Sequence, residues 1–110
     1  MRLVLRRDQK AQKGIFGGHK GMSFILSYRI ELTPQQEQLV AKYKASNEVL
    51  TSTERGVTTT VSDLIKGQTE EMSNISILLN NEEVIKKACK DFKVLLDVMA
   101  SFGGEEVIEF

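Results

Sequence analysis

The sequence predicts a two-layer α+β domain in which an antiparallel sheet of about five strands carries one long and one shorter helix on one face. Two observations predict this class. Apolar and polar residues alternate over residues 22–32, which is typical of a half-buried strand. Apolar residues recur at spacings of four and three from Ile85 to Met99, which is typical of a helix with one buried face. Because strands and helices follow one another irregularly, regular βαβ winding is not expected.

The first two strands form a predicted hairpin. Residues 2–11 make a polar strand, residues 22–32 make a longer one, and a glycine-rich connection from Gly14 to Gly21 joins them. At about 3.3 Å per residue, the second strand is roughly 36 Å long. Strands are usually five or six residues long. We therefore expect some of its apolar surface to extend beyond the core, where it can contact a second copy of the chain.

A helix follows the second strand directly. Thr33 is its expected N-cap, Pro34 occupies the first helical position, and Gln36 completes a capping box. Leu39, Val40 and Tyr43 give this helix an apolar face. We expect it to end at Ser46 and Asn47.

The middle of the chain contains a second predicted hairpin. Residues 49–53 and 57–61 are rich in β-branched side chains and are separated by three residues that end in glycine. Ser62 is the expected N-cap of a single helical turn that closes on Gly67. Residues 68–72 then form a short strand.

The last third of the chain is predicted to be mainly helical. A short apolar turn begins after Asn74, and residues 80–83 offer a fresh cap, so the long helix is expected to restart there. Gly103 and Gly104 end it, and residues 105–110 resemble a final strand. The solvent face of the helix carries pairs of opposite charge four residues apart, each contributing at most about 0.5 kcal/mol. These pairs are Glu82–Lys86, Glu83–Lys87, Lys87–Asp91 and Lys93–Asp97.

Length and composition fit a single domain over residues 1–110. The chain has a mass of 12.4 kDa, and 15 basic residues balance 15 acidic ones. This balance excludes a polybasic nucleic-acid binder of the histone type and a disordered acidic tail. Area scaling gives a compact chain of this mass a surface of roughly 6,100 Å². One ordinary core is therefore sufficient without disulfides.

The single cysteine and the N-terminus suggest a cytoplasmic protein. Cys89 has no partner for an intramolecular disulfide, and no cysteine or histidine spacing typical of a zinc site is present. The apolar run near Met1 is too short for a signal peptide, and no uncharged run is long enough to cross a bilayer. We expect no metal, no cofactor and no membrane association.

The basic residues are concentrated at the N-terminus. Residues 1–20 carry a net charge of +5, so residues 21–110 carry −5. The candidate anion-binding residues are Arg2, Arg6, Arg7, Lys10, Lys13, His19 and Lys20. Alternatively, the acidic strand over 105–110 pairs beside the basic strand, in the same chain or in a neighbouring copy. A third interpretation is that edge charges guard against sheet aggregation. We favour the structural interpretations because no stacking aromatics interleave the basic residues.

The glycine-rich connection has two interpretations. Its glycines and basic residues are able to present backbone N–H groups and positive charge to a phosphate, but the pattern matches no phosphate-binding motif and is followed by a strand. The simpler interpretation is that glycine supplies positive φ in an exposed hairpin tip. Phe16, an aromatic residue between glycines, is a candidate to dock on the core or on a partner chain.

No catalytic constellation stands out. His19 lies in the glycine-rich connection and Cys89 on the inner face of a helix, where burial would raise the pKa of the thiol and lower its reactivity. Glutamates that are adjacent in sequence diverge on helices and strands, so none forms an evident acid/base pair. We therefore predict no enzymatic activity.

The predicted function is that of a non-enzymatic interaction or scaffold domain that associates with itself and with a protein partner. Phe16 and Ile25 are the candidate interface residues, because Ile25 is the one apolar side chain on the otherwise polar face of the second strand. The alternative is an anion or nucleic-acid binding module that uses the basic N-terminal strand and the glycine-rich loop.

Overall fold

The computed structural model describes residues 1–13, 19–52 and 57–110 and confirms the α+β class. The predicted turn at residues 54–56 and the tip residues 14–18 of the first hairpin lie outside this range. The described elements, in chain order, are β1 (Arg2–Lys13), β2 (His19–Glu31), α1 (Pro34–Lys42), β3 (Val49–Ser52), β4 (Val57–Thr60), α2 (Val61–Lys66), β5 (Gln68–Met72) and α3 (Ile75–Ser101).

The described strands form two antiparallel sheets. The first sheet has the order β1-β2-β5, and β3 pairs with β4 in a separate two-stranded sheet. The strand predicted over residues 105–110 is wrong, because this segment belongs to neither sheet and its residues are exposed. An apolar-rich sequence becomes a strand only where a partner strand supplies ladder hydrogen bonds.

The register of β1 and β2 determines which side chains face the helices. Leu3 lies opposite Ile30, and Leu5 lies opposite Tyr28. All four contribute to the core or pack against it. Because side chains alternate along a strand, the odd residues of β1 and the even residues of β2 face the helical layer. The opposite face of the sheet carries Arg6 and the other even residues of β1.

Helix α1 begins with the capping box that the sequence predicts. The backbone N–H of Gln36 donates to Thr33 Oγ1 at 3.2 Å, and the backbone N–H of Thr33 donates to Gln36 Oε1 at 3.0 Å. The helix ends at Lys42, earlier than predicted, because Lys44 adopts a left-handed conformation with φ of 51°. A single 3-10 turn over Ala45–Asn47 follows it.

Helix α2 starts at Val61, two residues earlier than a cap at Ser62 would place it. Thr60, and not Ser62, is the N-cap, since Thr60 Oγ1 accepts from the backbone N–H of Asp63 at 3.1 Å. The predicted C-terminal glycine is correct. Gly67 has φ of 74°, and its backbone passes so close to β2 that an added Cβ would lie 2.0 Å from the carbonyl oxygen of Tyr28.

Helix α3 is continuous, so the predicted restart at residues 80–83 is wrong. Asn74 caps it, accepting from the backbone N–H of Ile77 at 2.9 Å. One buried stripe runs along the whole helix at alternating spacings of four and three, and this burial favours an uninterrupted helix. The stripe consists of Leu78, Glu82, Ile85, Cys89, Phe92, Leu96 and Met99.

The predicted charge pairs on α3 are confirmed in part. Lysine–aspartate pairs form at the two predicted places, Lys87–Asp91 and Lys93–Asp97. The pairs predicted for the two glutamates are wrong. Glu82 turns into the core, and Glu83 lies 3.6 Å from Lys86, one position closer than predicted.

The chain is elongated. Its radius of gyration is 18.2 Å, whereas a compact domain of this length has about 13 Å. Strand β5 pairs with β2 only between Phe24 and Tyr28, so the outer half of the β1–β2 ribbon extends beyond the three-stranded part of the sheet. The accessible surface of 8072 Å² exceeds the roughly 6,100 Å² of a compact chain of this mass.

The close approach of Gly67 to β2 gives the first testable prediction. Gly67→Ala should lower the free energy of unfolding by about 3 kcal/mol or more, because the new Cβ overlaps the Tyr28 carbonyl. Gly103→Ala is the matched control, since Gly103 has φ of 90° but open space around it. It should cost about 1 kcal/mol. Urea denaturation of both variants measures the difference, and equal losses would show that the close approach is not tight.

Candidate interaction edge

Strand β1 forms one border of the three-stranded sheet. In the described part of the chain it pairs on one side only, with β2, along its 12 residues. An edge strand presents a row of unpaired N–H and C=O groups that another strand is able to use. An edge of this length exceeds the typical strand, so it offers an extended surface for backbone pairing.

Strand β1 is held to α3 by an ion pair beneath the edge. Arg7 Nη2 donates to Glu82 Oε2 at 2.8 Å, and Arg7 Nε donates to Glu82 Oε1. The side chain of Glu82 is 1 % exposed, whereas that of Arg7 is 60 % exposed. The two-pronged geometry satisfies both carboxylate oxygens, which a buried carboxylate requires. The carboxylate is therefore the buried member of the pair, and Arg7 bridges it to solvent.

The position of Glu82 follows from the helical stripe. Extending the alternating spacing of four and three from Ile85 towards the N-terminus reaches Glu82 and then Leu78. The sequence therefore carries the signal for a buried position, although a charged residue is normally expected on the solvent face. Arg7 has an odd number in β1 and so faces the helices, as Leu3 and Leu5 do. The alternation of side chains along β1 places Arg7, and the helical spacing of α3 places Glu82.

Arg7 holds the pKa of Glu82 below its ordinary value. The hydrogen bonds from Arg7 are the largest cause, desolvation opposes them, and the charges of Arg7 and Lys86 add to the lowering. A depressed pKa means that the folded state favours the charged form. This stabilisation is complete above the ordinary pKa of 4.5 and is lost as the pH falls through the lower folded-state pKa.

The two other arginines of β1 also contact carboxylates of their own chain. Arg2 Nε lies 3.1 Å from Glu31 Oε2, and this contact lowers the pKa of Glu31. Arg6 Nε lies 2.9 Å from Asp8 Oδ2. Both pairs are exposed, and exposed pairs contribute little to stability. They neutralise charge on the strand without fixing its position.

The remaining candidate anion-binding residues lie along the outer half of the ribbon. Lys10 is exposed, and the backbone of Lys13 pairs with that of His19 near the end of the described ribbon. The side chains of Lys13, His19 and Lys20 lie outside the described part of the structure, as does Phe16. Gly21 has φ of 103°, which agrees with the role assigned to glycine in this connection.

The candidate interface residue Ile25 is half-buried on the helix-free face of the sheet. Its neighbours in register are Asp8 on β1 and Glu71 on β5. The arginines Arg2 and Arg6 lie on the same face, because they have even numbers in β1. The structure therefore places Ile25 in a charged surface rather than in an apolar one.

The C-terminal tail, residues 105–110, is an exposed segment that contains both acidic and apolar residues. Val107 is 83 % exposed, and Ile108 and Phe110 are also exposed. The tail leaves α3 beyond Phe102, whose ring packs edge-on against Tyr43 with centroids 5.1 Å apart. Exposed apolar side chains next to one another typically mark a contact site.

The one cysteine of the chain is buried, and the described residues hold no group of metal-ligating side chains. Cys89 is buried in the core stripe, and burial raises the pKa of its thiol to about 11. Within residues 1–13, 19–52 and 57–110, no three histidine, cysteine or acidic side chains are grouped to hold a metal ion. Over the same residues, none of the helices has the length and apolar character needed to span a membrane.

The buried ion pair predicts an asymmetric response to mutation. Arg7→Met should lower Tm by on the order of 10 °C, because it leaves the Glu82 carboxylate buried without its donor. Its pH profile should also reverse. Without Arg7, desolvation raises the pKa of Glu82, so the stability of the variant should fall as the pH rises above the ordinary pKa of this carboxyl.

Arg6→Met, which removes an exposed pair from the same strand, should lower Tm by less than about 2 °C. Thermal melts between pH 4 and 8 test both points, and equal effects of the two variants would contradict the assignment.

Burial of Cys89 predicts a slow thiol. Because the pKa is raised from 9.0 to about 11, the thiolate fraction at pH 8 is about a hundredfold lower than in the unfolded chain. Modification by an aromatic disulfide reagent should be slowed by about tenfold or more relative to the urea-unfolded protein, because the greater nucleophilicity of a thiolate of higher pKa offsets part of this factor. Rapid modification of the native protein would show that Cys89 is accessible to solvent. It would then be a candidate nucleophile.

The chain was compared with protein families, curated proteins and solved structures. Neither a protein family, a curated protein nor a solved structure matches the chain.

Proposed function

We propose that the protein is a non-enzymatic interaction module that associates with itself, the tail of one copy pairing with the β1 edge of a second copy. The observation that carries this proposal is the coexistence of an edge strand, whose outer side has no partner among the described residues, and an exposed tail with strand-forming residues. Addition of an extended segment to a free sheet edge is a common mode of recognition, in which backbone hydrogen bonds give affinity and side chains give register.

One antiparallel register matches the side chains of the tail to those of β1. Placing Ile108 opposite Leu5 brings Phe110 opposite Leu3 on the helix-facing side. The same register places Glu106 opposite Arg7. A shift by two residues in either direction puts Ile108 opposite Arg7 or puts Glu106 opposite Leu5, and a shift by one residue reverses both faces. On the helix-facing side this alignment is therefore the best match, whereas on the opposite face it places Glu109 diagonally between Arg2 and Arg6 and Glu105 opposite Asp8.

The net charges of the two segments favour pairing of the tail with β1. Strand β1 contains five basic residues and one acidic residue, whereas residues 105–110 contain three acidic residues and no basic one. The exposed pairs that Arg2 and Arg6 make within the chain contribute little to stability, so exchanging their partners for the tail costs little. Attraction between the acidic tail and the basic strand steers two copies together. Repulsion between two copies of the basic strand disfavours pairing of one β1 edge with another.

The exposed area is sufficient for a dimer. The accessible surface of 8072 Å² exceeds the value for a compact chain of this mass by roughly 1,900 Å². A stable interface buries about 800 Å² per partner. If each copy donates one tail and receives one, the two contacts are related by a two-fold axis, and the assembly closes as a homodimer.

The β1–β2 ribbon favours a second candidate function, nucleic-acid binding. Residues 9–30 contain three lysines and one arginine and no acidic residue. A two-stranded ribbon fits the major groove of DNA. The arginines at the base of the ribbon contact carboxylates of the chain, which makes this candidate the weaker one. Binding of labelled duplex DNA that weakens steeply with salt and is lost in Lys10→Ala/Lys13→Ala would support it, and salt-insensitive or absent binding would remove it.

Self-association is tested with a variant of the tail. Ile108→Glu should convert the dimer to monomer at concentrations up to about 100 µM, because it places a carboxylate opposite the apolar position of Leu5. Val94→Glu is the matched control, since Val94 is an equally exposed apolar residue on the solvent side of α3. Its mass should remain that of the parent protein. Sedimentation velocity measures all three chains.

Two results would contradict the proposal. One is a strict monomer for the parent protein at high micromolar concentration. The other is a dimer that Ile108→Glu leaves intact while Val94→Glu dissolves it, which would place the interface on the helix. A peptide of residues 103–110 should also compete for the edge and shift the amide resonances of β1, whereas a scrambled peptide should not.

A further inference from the structure

A cavity of about 200 Å³ lies between the two sheets and the helices, away from the β1 edge. Its inner part is apolar and comes from four different elements. Five buried residues of β2, β3, α2 and α3 form it, namely Leu26, Leu50, Leu64, Ile85 and Ala88. Because these elements belong to the core, the cavity is held by packing rather than by loops.

The mouth of the cavity is polar and carries one carboxylate. Glu70 is the one charged residue among the described residues that line the cavity, together with Tyr28, Gln68 and Asn81. Asn81 Nδ2 donates to Glu70 Oε2 at 3.1 Å. This bond fixes the carboxylate at the mouth, and no described hydrogen bond engages its other oxygen.

Tyr28 and Glu70 line the same cavity. The pKa of Tyr28 is raised, first by burial and next by the negative charge of Glu70. Its hydroxyl makes no hydrogen bond within the described part of the chain. The mouth therefore combines a fixed negative charge with a phenol hydroxyl that is available to a ligand, and the described lining supplies no cation to neutralise the charge.

We propose that this cavity binds a small primary ammonium ion with an apolar body. The ammonium group would donate to the carboxylate of Glu70 and to the hydroxyl of Tyr28, while the apolar body would occupy the inner part of the cavity. Pockets for drug-sized ligands have volumes of about 300–1,000 Å³. The smaller volume here restricts the ligand to one ring or a short aliphatic chain. A carboxylate ligand would be repelled by Glu70, and a neutral alcohol would lose the charge-assisted hydrogen bond.

The probe is 2-phenylethylamine, compared with 2-phenylethanol and 3-phenylpropionate, which keep the ring and change the head group. Titration followed by amide chemical shifts should show saturable shifts at Glu70, Asn81 and Ile85 for the amine. The alcohol should bind about tenfold more weakly, and the carboxylate should give no saturable shift.

Two variants separate the proposed contact from general effects on the fold. Glu70→Gln keeps the size of the side chain and an oxygen acceptor for Asn81, and it should weaken amine binding by about tenfold or more. Glu71→Gln is the matched control, because Glu71 is the next residue of the same strand and faces the opposite side of the sheet. It should leave the affinity unchanged.

Three results would overturn the proposal. They are equal binding of amine and alcohol, equal loss in the two variants, and no shift with amine at about 10 mM, an upper limit for specific binding of a fragment this small. Chemical-shift spectra of the free variants verify that both are folded. Because the cavity is separate from the β1 edge, the outcome does not depend on whether the protein forms a dimer.

Discussion

The contact between Arg7 and Glu82 is the constraint on which the arrangement of the chain depends. A carboxylate with 1 % exposure needs a donor for each oxygen, and Arg7 is the residue that supplies them. This requirement sets the face that β1 turns towards α3 and holds the strand against the helix along one side. The free edge of β1 has a different origin, because the sheet order β1-β2-β5 leaves its outer side without a partner strand in the described chain.

The zero net charge of the chain is a cancellation between a basic strand and an acidic remainder. The structure shows that part of this cancellation is internal, because the three arginines of β1 each contact a carboxylate of the same chain. One of these carboxylates is buried and two are exposed, so only the first contact is costly to replace. The acidic tail contributes three further negative charges that no β1 residue engages within the described chain. This remaining complementarity is the physical basis for pairing between two copies.

Local signals predicted most of the elements, and non-local contacts account for the errors. The capping box at Thr33, the glycine at position 67 and the period-two pattern of β2 depend on neighbours in sequence, and the structure confirms all three. The restart of α3 was wrong because two asparagines resemble a cap, whereas burial of the stripe on both sides keeps the helix continuous. The burial of Glu82 is not evident from the sequence because its counter-charge is 75 residues away.

The division into two sheets and the exposed tail depend on which strand edges meet in space, and the periodicity of a single segment carries no information about that. The cavity at Glu70 was not predicted for the same reason, since its lining comes from several separate elements.

Amide hydrogen exchange along β1, measured as a function of protein concentration, tests the central claim most directly. If the tail of a second copy pairs with the edge, the outward N–H groups near Leu3 and Leu5 gain protection as the concentration rises, and those of β2, which are already paired, do not. Protection on β1 that is independent of concentration, in a protein that is dimeric by sedimentation, would show that the edge is not the interface and would contradict the account.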